Sequence, residues 1–491
     1  MPEPVAILVA VEQEERPALT ESCAGGVDRV LEQSVDDARM NGVIAVGANH
    51  PPSTYDIAEL GHGASLRHHG SMDPQPETHG QPGRAHEREF VRMWDELEPI
   101  GRDRSTGGYH RYAWSDADLL LREWFAGEAA ARGLELTDDG NGNQLAWPAD
   151  AELAGRGDAV LVGSHLDSVP DGGAYDGPLG VVSAFAALDL LAERGVRLDR
   201  PVVVAGFSDE EGARFGIACA GSRLMTGSLA PDAALGMRDR DGLSLAEVLS
   251  ARGRDLAAVR PRPDILDRVS AFVELHVEQG RGLADMDAAV GVGSAIWPHG
   301  RFRLDFTGEA NHAGTTLMQD RRDPMLAFAA AVLAADEHAR EAGARATFGR
   351  VEVLPGGTNA IPSSVRAWLD ARAPDEASLV ALVEAITLQA RGMSRRDGTG
   401  LDVTPESVSA AVSFDTALRA AAAALLGGAP VLPTGAGHDA GVLSQHGVPT
   451  GMLFVRNPTG VSHSPYEHAD PDDCLAGVRA LADVLAHLAA A

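Results

Sequence analysis

With 491 residues, 44% of them apolar, the chain exceeds what one hydrophobic core usually serves, so two or more globular domains are expected. Its formal charge of -30 is carried without a single lysine, all 41 basic residues being arginine, which excludes a Schiff-base or P-loop lysine and argues against nucleic acid or an anionic membrane as partner. No apolar run approaches the roughly 18 to 20 residues of a membrane span, and the scattered Cys23, Cys219 and Cys474 do not make a disulfide framework. These features point to a reducing cytoplasm.

In chain order, residues 1–87 read as a poorly ordered N-terminal extension. The apolar start "MPEPVAILVAVEQEE" lacks the basic flank of a secretory signal. The text that follows it, with His62, His68, His69 and His79, is rich in Pro, Gly and His without periodicity and is assigned no function. From residue 88 the pattern is that of an ordered enzyme. "SDADLLLREWFAGEAAARG" offers Ser115 as the cap of an amphipathic helix that ends at Gly133. "DAVLVGSH" and "PVVVAGFSDEEG" are buried strands flanking the helical "GVVSAFAALDLLAERG", an order that implies a parallel sheet covered by helices. "AFVELHVEQG" is a third such run. Near residue 291 the period changes: "GRFRLDFTG" alternates Phe302, Leu304 and Phe306 on one face. A helix near 324–342, strands near 346–354 and 364–373, a helix near 375–393 and a strand near 401–404 complete a βαββαβ unit over residues 291–404. The expected fold is therefore α/β, with a mostly parallel catalytic domain formed by 88–290 plus 405–491 and the βαββαβ domain inserted between them.

The stretch "GSHLDSVPDGGAYDGPLGV" follows a buried strand and is a metal-site candidate, because loops leaving the carboxyl ends of parallel strands carry ligands. His165 and Asp176 lie in it, the pair Glu210 and Glu211 follows "VVVAGFSD", His276 ends "FVEL", and His463 sits in "GVSHSPYE". Each alone reads more readily as a structural histidine or a solvated turn than as a ligand. Their recurrence at strand ends favours a shared centre.

The motifs "GSHLDSVPDGGAYDG", "FSDEEG", "HVEQG", "NHAGTT", "GGTNAIP", "GAGHDA" and "GVSHSPYE", in this order, resemble the M20-type metallo-amidohydrolases, and within them the hydantoinase/carbamoylase branch. That branch includes N-carbamoyl-L-amino-acid hydrolase, β-ureidopropionase and allantoate amidohydrolase, and the resemblance covers about residues 88–491. It implies two divalent ions, Zn or Mn, per subunit. His165 and His276 hold one, Glu211 and His463 the other, and Asp176 bridges them. Asp167 is then the carboxylate that orients His165, and Glu210 is the general base. Consecutive side chains at a strand end point different ways, which lets Glu211 ligate while Glu210 faces the reaction. By the same resemblance Gln279, Asn359, Arg372 and Gly437 contact substrate. His312 enters from the second subunit of a homodimer, with the insert as lid and dimerisation domain, and His438 lies behind the ligands. The implied reaction is hydrolysis of a linear ureido C–N bond in a small carboxylate. Allantoate ranks first and N-carbamoyl-L-amino acids or β-ureidopropionate second. An aminoacylase or dipeptidase of the same fold is the further alternative, with "HVEQG" and "NHAGTT" against it. A binding scaffold without catalysis is disfavoured because every ligand position is occupied.

Overall fold

A computed structural model describes residues 85–149 and 157–490. The expected N-terminal extension lies outside the described residues except for 85–87. Those three open a helix, Ala85–Leu97, which buries Phe90, Met93 and Leu97 along one face. At its start Glu193 accepts hydrogen bonds from the His86 N–H at 2.5 Å and from His86 Nδ1 at 2.9 Å.

Four strands form the parallel centre of a nine-stranded sheet, in the order Val202–Phe207, Ala159–His165, Val269–Val277 and Thr450–Val455. Their near-continuous apolar runs suit strands covered on both faces, and the sheet divides two cores by simple alternation. Val160, Val162, Val204 and Leu275 pack against helices Pro178–Glu193 and Pro471–Ala489. Leu161, Val203, Ala205 and Phe272 face the other side, where helix Asp439–His446 contributes Ala440 and Leu443. Antiparallel strands flank this centre: Leu134–Asp138 and Gln144–Pro148 on one edge, Val290–Ile296 and Val412–Ser413 on the other. Because the central strands run the same way, their carboxyl ends and the loops that leave them converge on one edge of the sheet.

The inserted unit has its own core. Strands Gly400–Ser409, His299–Thr307, Ser364–Arg372 and Arg345–Leu354 form an antiparallel sheet in that order. Helices Pro324–Glu341 and Glu376–Asp397 bury Ala331, Ala335, Leu382 and Ile386 against Phe302, Leu304, Phe306 and Leu369. The element order is βαββαβ. Both expected borders shift. Residues 291–296 belong to the large sheet, where Val290–Ile296 pairs with Thr450–Val455. The last strand runs past 404 to Ser409, still paired with His299. Pro405 hides this continuation in the sequence, since it cannot donate to a ladder; the register shifts between Pro405 and Ser407, as at a bulge. Among the described residues no helix is long and apolar enough to cross a membrane, and Cys219 and Cys474 are buried free thiols.

One glycine sets the distance between helix and sheet. A Cβ on Gly180 would lie 2.3 Å from the carbonyl oxygen of Leu275, on the strand that carries His276. Gly180→Val is therefore expected to destabilise the fold by about 1–3 kcal/mol or more, as overpacking against backbone does. An unchanged urea midpoint would show that helix and strand separate freely.

Candidate metal centre

His165 ends its strand with a fully buried ring. Its Nδ1 lies 3.0 Å from the backbone carbonyl of Asp167, which leaves Nε2 to face the centre. The loop that follows returns at Gly177, whose φ is +85°; a Cβ there would lie 2.5 Å from the His165 ring. Only glycine lets Asp176 come this close. One Asp176 oxygen, Oδ1, stands 3.5 Å from His165 Nε2 and 3.1 Å from His276 Nε2. The other, Oδ2, stands 3.5 Å from His463 Nε2, which is itself 3.6 Å from Glu211 Oε2. Two three-residue groups result, His165–Asp176–His276 and Asp176–Glu211–His463, each with its donor atoms within 4.8 Å of one another. They share Asp176.

These residues fit divalent cations. His165 Nε2, His276 Nε2 and Glu211 Oε1 are buried and have no hydrogen-bond partner, an arrangement that costs stability unless something else satisfies them. A donor set of imidazole and carboxylate without thiolate suits Zn or Mn. The charges point the same way. Burial, with Asp176 alongside, pushes Glu211 up to about 8. Burial also drives Glu210 well above the carboxylate range, against the pull of His165. Burial works against charge on His165, yet Glu210, Asp176 and Asp167 together raise it well above its ordinary value. Asp176, despite its burial, is held well below the usual range by His276 and His165.

The two adjacent glutamates diverge. Glu211 faces His463, whereas Glu210 lies with Oε2 3.8 Å from His165 Nε2 and accepts a hydrogen bond from the Cys219 thiol at 3.2 Å on Oε1. Asp167 acts differently from the expectation. Its carboxylate is 3.6 Å from His165 Nδ1, beyond a hydrogen bond, and its oxygens instead accept the N–H groups of Glu210 and Glu211 at 3.1 Å each. The imidazole is oriented by the backbone carbonyl, and the carboxylate fixes the glutamate turn.

The expected substrate residues fall into two sets. Gln279 is at the centre, donating to Asp176 Oδ2 at 2.8 Å. His438, preceded by Gly437, packs edge-on against His276 with ring centroids 4.6 Å apart, and burial beside His276 holds it well below its ordinary pKa. Arg372 reaches out of the inserted sheet to the loop before His438, donating from Nη1 to the Gly435 carbonyl at 2.6 Å while Asp370 takes its Nε at 2.8 Å. By contrast, Arg366 and Trp368 on the same face pair with Asp305 and Glu406 of the insert. Asn359 and His312 are neighbours on the insert: the Ala313 N–H donates to the Asn359 carbonyl at 2.9 Å, and Asn311–His312 pairs with Ala360–Ile361. His312 is exposed, with Nδ1 accepting the Gly314 N–H at 3.0 Å. Among the described residues, none of its hydrogen bonds reaches the cluster.

Two buried acids, Glu274 and Glu467, support the site without having been singled out in the sequence. Glu274 shares a strand face with His276 and accepts hydrogen bonds from Ser164 Oγ at 2.8 Å and the Ala440 N–H at 2.9 Å. The signal was a charge inside the apolar "FVEL". Glu467, pushed by burial and Asp176 up to about 7, is 5% exposed and binds the backbone at Asp176.

Residues 161–487 match the peptidase family M20/M25/M40, and the chain belongs to it. Within that family it falls in the hydantoinase/carbamoylase branch and is an amidohydrolase of C–N bonds. An N-carbamoyl-L-amino acid amidohydrolase from Geobacillus stearothermophilus is 36% identical over 79% of this chain and 96% of its own length. An allantoate amidohydrolase from Escherichia coli is 34% identical, over 80% of this chain and 96% of its own. The crystal structure of a hydantoinase/carbamoylase family amidase from Burkholderia ambifaria superposes with a TM-score of 0.71 at 30% identity, covering 82% of this chain and 98% of that one.

The diverging glutamates separate binding from chemistry. Glu210→Gln is expected to keep its metal and lose at least about 10²-fold in kcat, the scale of a positioned acid/base. Glu211→Gln is expected to lose metal as well. Metal analysis alongside kinetics checks this, and interchanged phenotypes would reverse the assignment.

Proposed function

We propose that this chain hydrolyses a linear ureido C–N bond in a small carboxylate, with allantoate first and N-carbamoyl-L-amino acids second, as a cytoplasmic homodimer with two divalent ions, Zn or Mn, in each subunit. The observation that carries this reading is the pair of ligand groups joined through Asp176, with Glu210 beside them and Arg372 tied to the adjoining loop.

A ureido carbon is a poor electrophile because both nitrogens donate into its carbonyl. His165, Asp176 and His276 would hold one divalent ion and Asp176, Glu211 and His463 the other, and such ions would supply Lewis acidity to the carbonyl and lower the pKa of water. Glu210 takes the proton of the attacking water and returns it to the departing nitrogen, a role suited to a carboxylate raised by burial. One water and one ureido group then give an amine, carbon dioxide and ammonia. Arg372 has five donors, of which Asp370 and Gly435 take three, leaving the outer edge for a substrate carboxylate. Gln279, Asn359 and Gly437 complete the substrate contacts on this reading, and His438 supports His276 as a neutral ring. The exposed His312 serves the partner's site, where it polarises the carbonyl; its exposure in the single chain supports that role. N-carbamoyl-L-amino acids stand a close second, since a relative named for them is 36% identical and those named for allantoate are 34% identical.

Ammonia release from a panel tests the reading: allantoate, N-carbamoyl-L-amino acids, β-ureidopropionate and ureidoglycolate, with an N-acyl amino acid and a dipeptide as controls. Turnover is expected with the ureido compounds, greatest kcat/KM with allantoate, abolished by a chelator and restored by Zn or Mn. Turnover confined to the controls, or undiminished in metal-free protein, would overturn it.

A further inference from the structure

Glu467 is a buried carboxylate that the reaction does not use, and its contacts converge on both ligand loops. Oε1 accepts the backbone N–H of Tyr175 at 2.8 Å and that of Asp176 at 2.9 Å. Oε2 lies 3.2 Å from Ser462 Oγ, which is also 3.2 Å from Asp176 Oδ2. Ser462 is the residue before His463. A single side chain thus grips the backbone of the shared ligand from one loop and, through a hydroxyl, the segment that presents a ligand of the second group. The sequence has made room for it. A Cβ on Gly173 would lie 2.4 Å from Glu467 Oε1 and 2.5 Å from Glu467 Cβ, so the second glycine of "PDGGAYDG" is the space this carboxylate occupies. Two N–H donors held on one carboxylate oxygen are a strong constraint, because either donor left buried without its acceptor would cost the fold.

We propose that Glu467 is the positioning residue that sets Asp176 at the distance both ligand groups require, so that it governs metal affinity without touching metal or substrate. This rests on the reading of Asp176 as the shared ligand. Glu467 acts through hydrogen-bond acceptance, which a glutamine carbonyl at the same place reproduces, whereas alanine frees the Asp176 backbone and the loop relaxes.

The test is titration of metal-free protein with Mn2+ alone, followed by calorimetry, for wild type, Glu467→Ala, Glu467→Gln and Gly173→Ala. Wild type and Glu467→Gln are expected to bind alike, and Glu467→Ala about 10- to 100-fold more weakly, the usual effect of removing a residue that supports ligands. At saturating Mn2+ the Glu467→Ala variant is expected to recover its kcat. If that variant does not fold, Gly173→Ala displaces the carboxylate instead and is expected to weaken binding to a similar extent. Undiminished Mn2+ affinity in a folded Glu467→Ala or Gly173→Ala variant would overturn the inference, and so would a Glu467→Gln as weak as alanine or a kcat that stays low at saturation. A wild-type chain that binds no Mn2+ would overturn the site reading itself, and this inference with it.

Discussion

One carboxylate with two oxygens must face two groups of ligands at once. Asp176 is buried, charged and nearer than 4 Å to three histidines, and that position is possible only because its surroundings yield to it. Gly177 turns the chain where a side chain would strike His165, and the N–H of Asp176 has a buried acceptor. An aspartate is short enough to serve two groups only if its backbone is held in place. The loop around it is therefore built as rigidly as a core, although it lies outside the sheet.

The parallel sheet solves the remaining problem of delivery. Its central strands bring His165, the glutamate pair, His276 and the loop to His463 to one edge, while the apolar runs behind them supply the stability. The arrangement stores an electrostatic cost. Glu210, Glu211, Glu274 and Asp167 all lie in a region where burial opposes their charge, and the neighbouring His165 and His276 offset only part of it. Cations that bind there relieve like-charge repulsion as well as completing ligand shells, so affinity and folded stability are linked.

The residues of the two groups were legible in the sequence because each stands where an apolar run gives way to turn residues, and because seven motifs keep a fixed order. What supports them was not. Whether Asp167 holds an imidazole or the glutamate turn depends on a neighbouring strand, whose proximity no local pattern encodes. Glu467 ends the motif that carries His463, yet it lies nearly three hundred residues from the N–H groups it accepts, and nothing local in that motif encodes the pairing. The borders of the insert were misplaced for a local reason at each end: Val290–Ile296 pairs outside the insert, and Pro405 interrupts a strand that continues. The substrate is hidden for a chemical reason. Allantoate and N-carbamoyl amino acids carry the same carboxylate and ureido functions.

The central claim is that two ion sites exist and that Asp176 belongs to both. Metal content after exhaustive dialysis, measured per chain by elemental analysis, addresses it directly with wild type, His463→Ala and Asp176→Ala. The account predicts two ions for wild type, one for His463→Ala and none retained by Asp176→Ala, with all three chains folded. Two ions retained by folded Asp176→Ala, or a single ion in wild type, would contradict it.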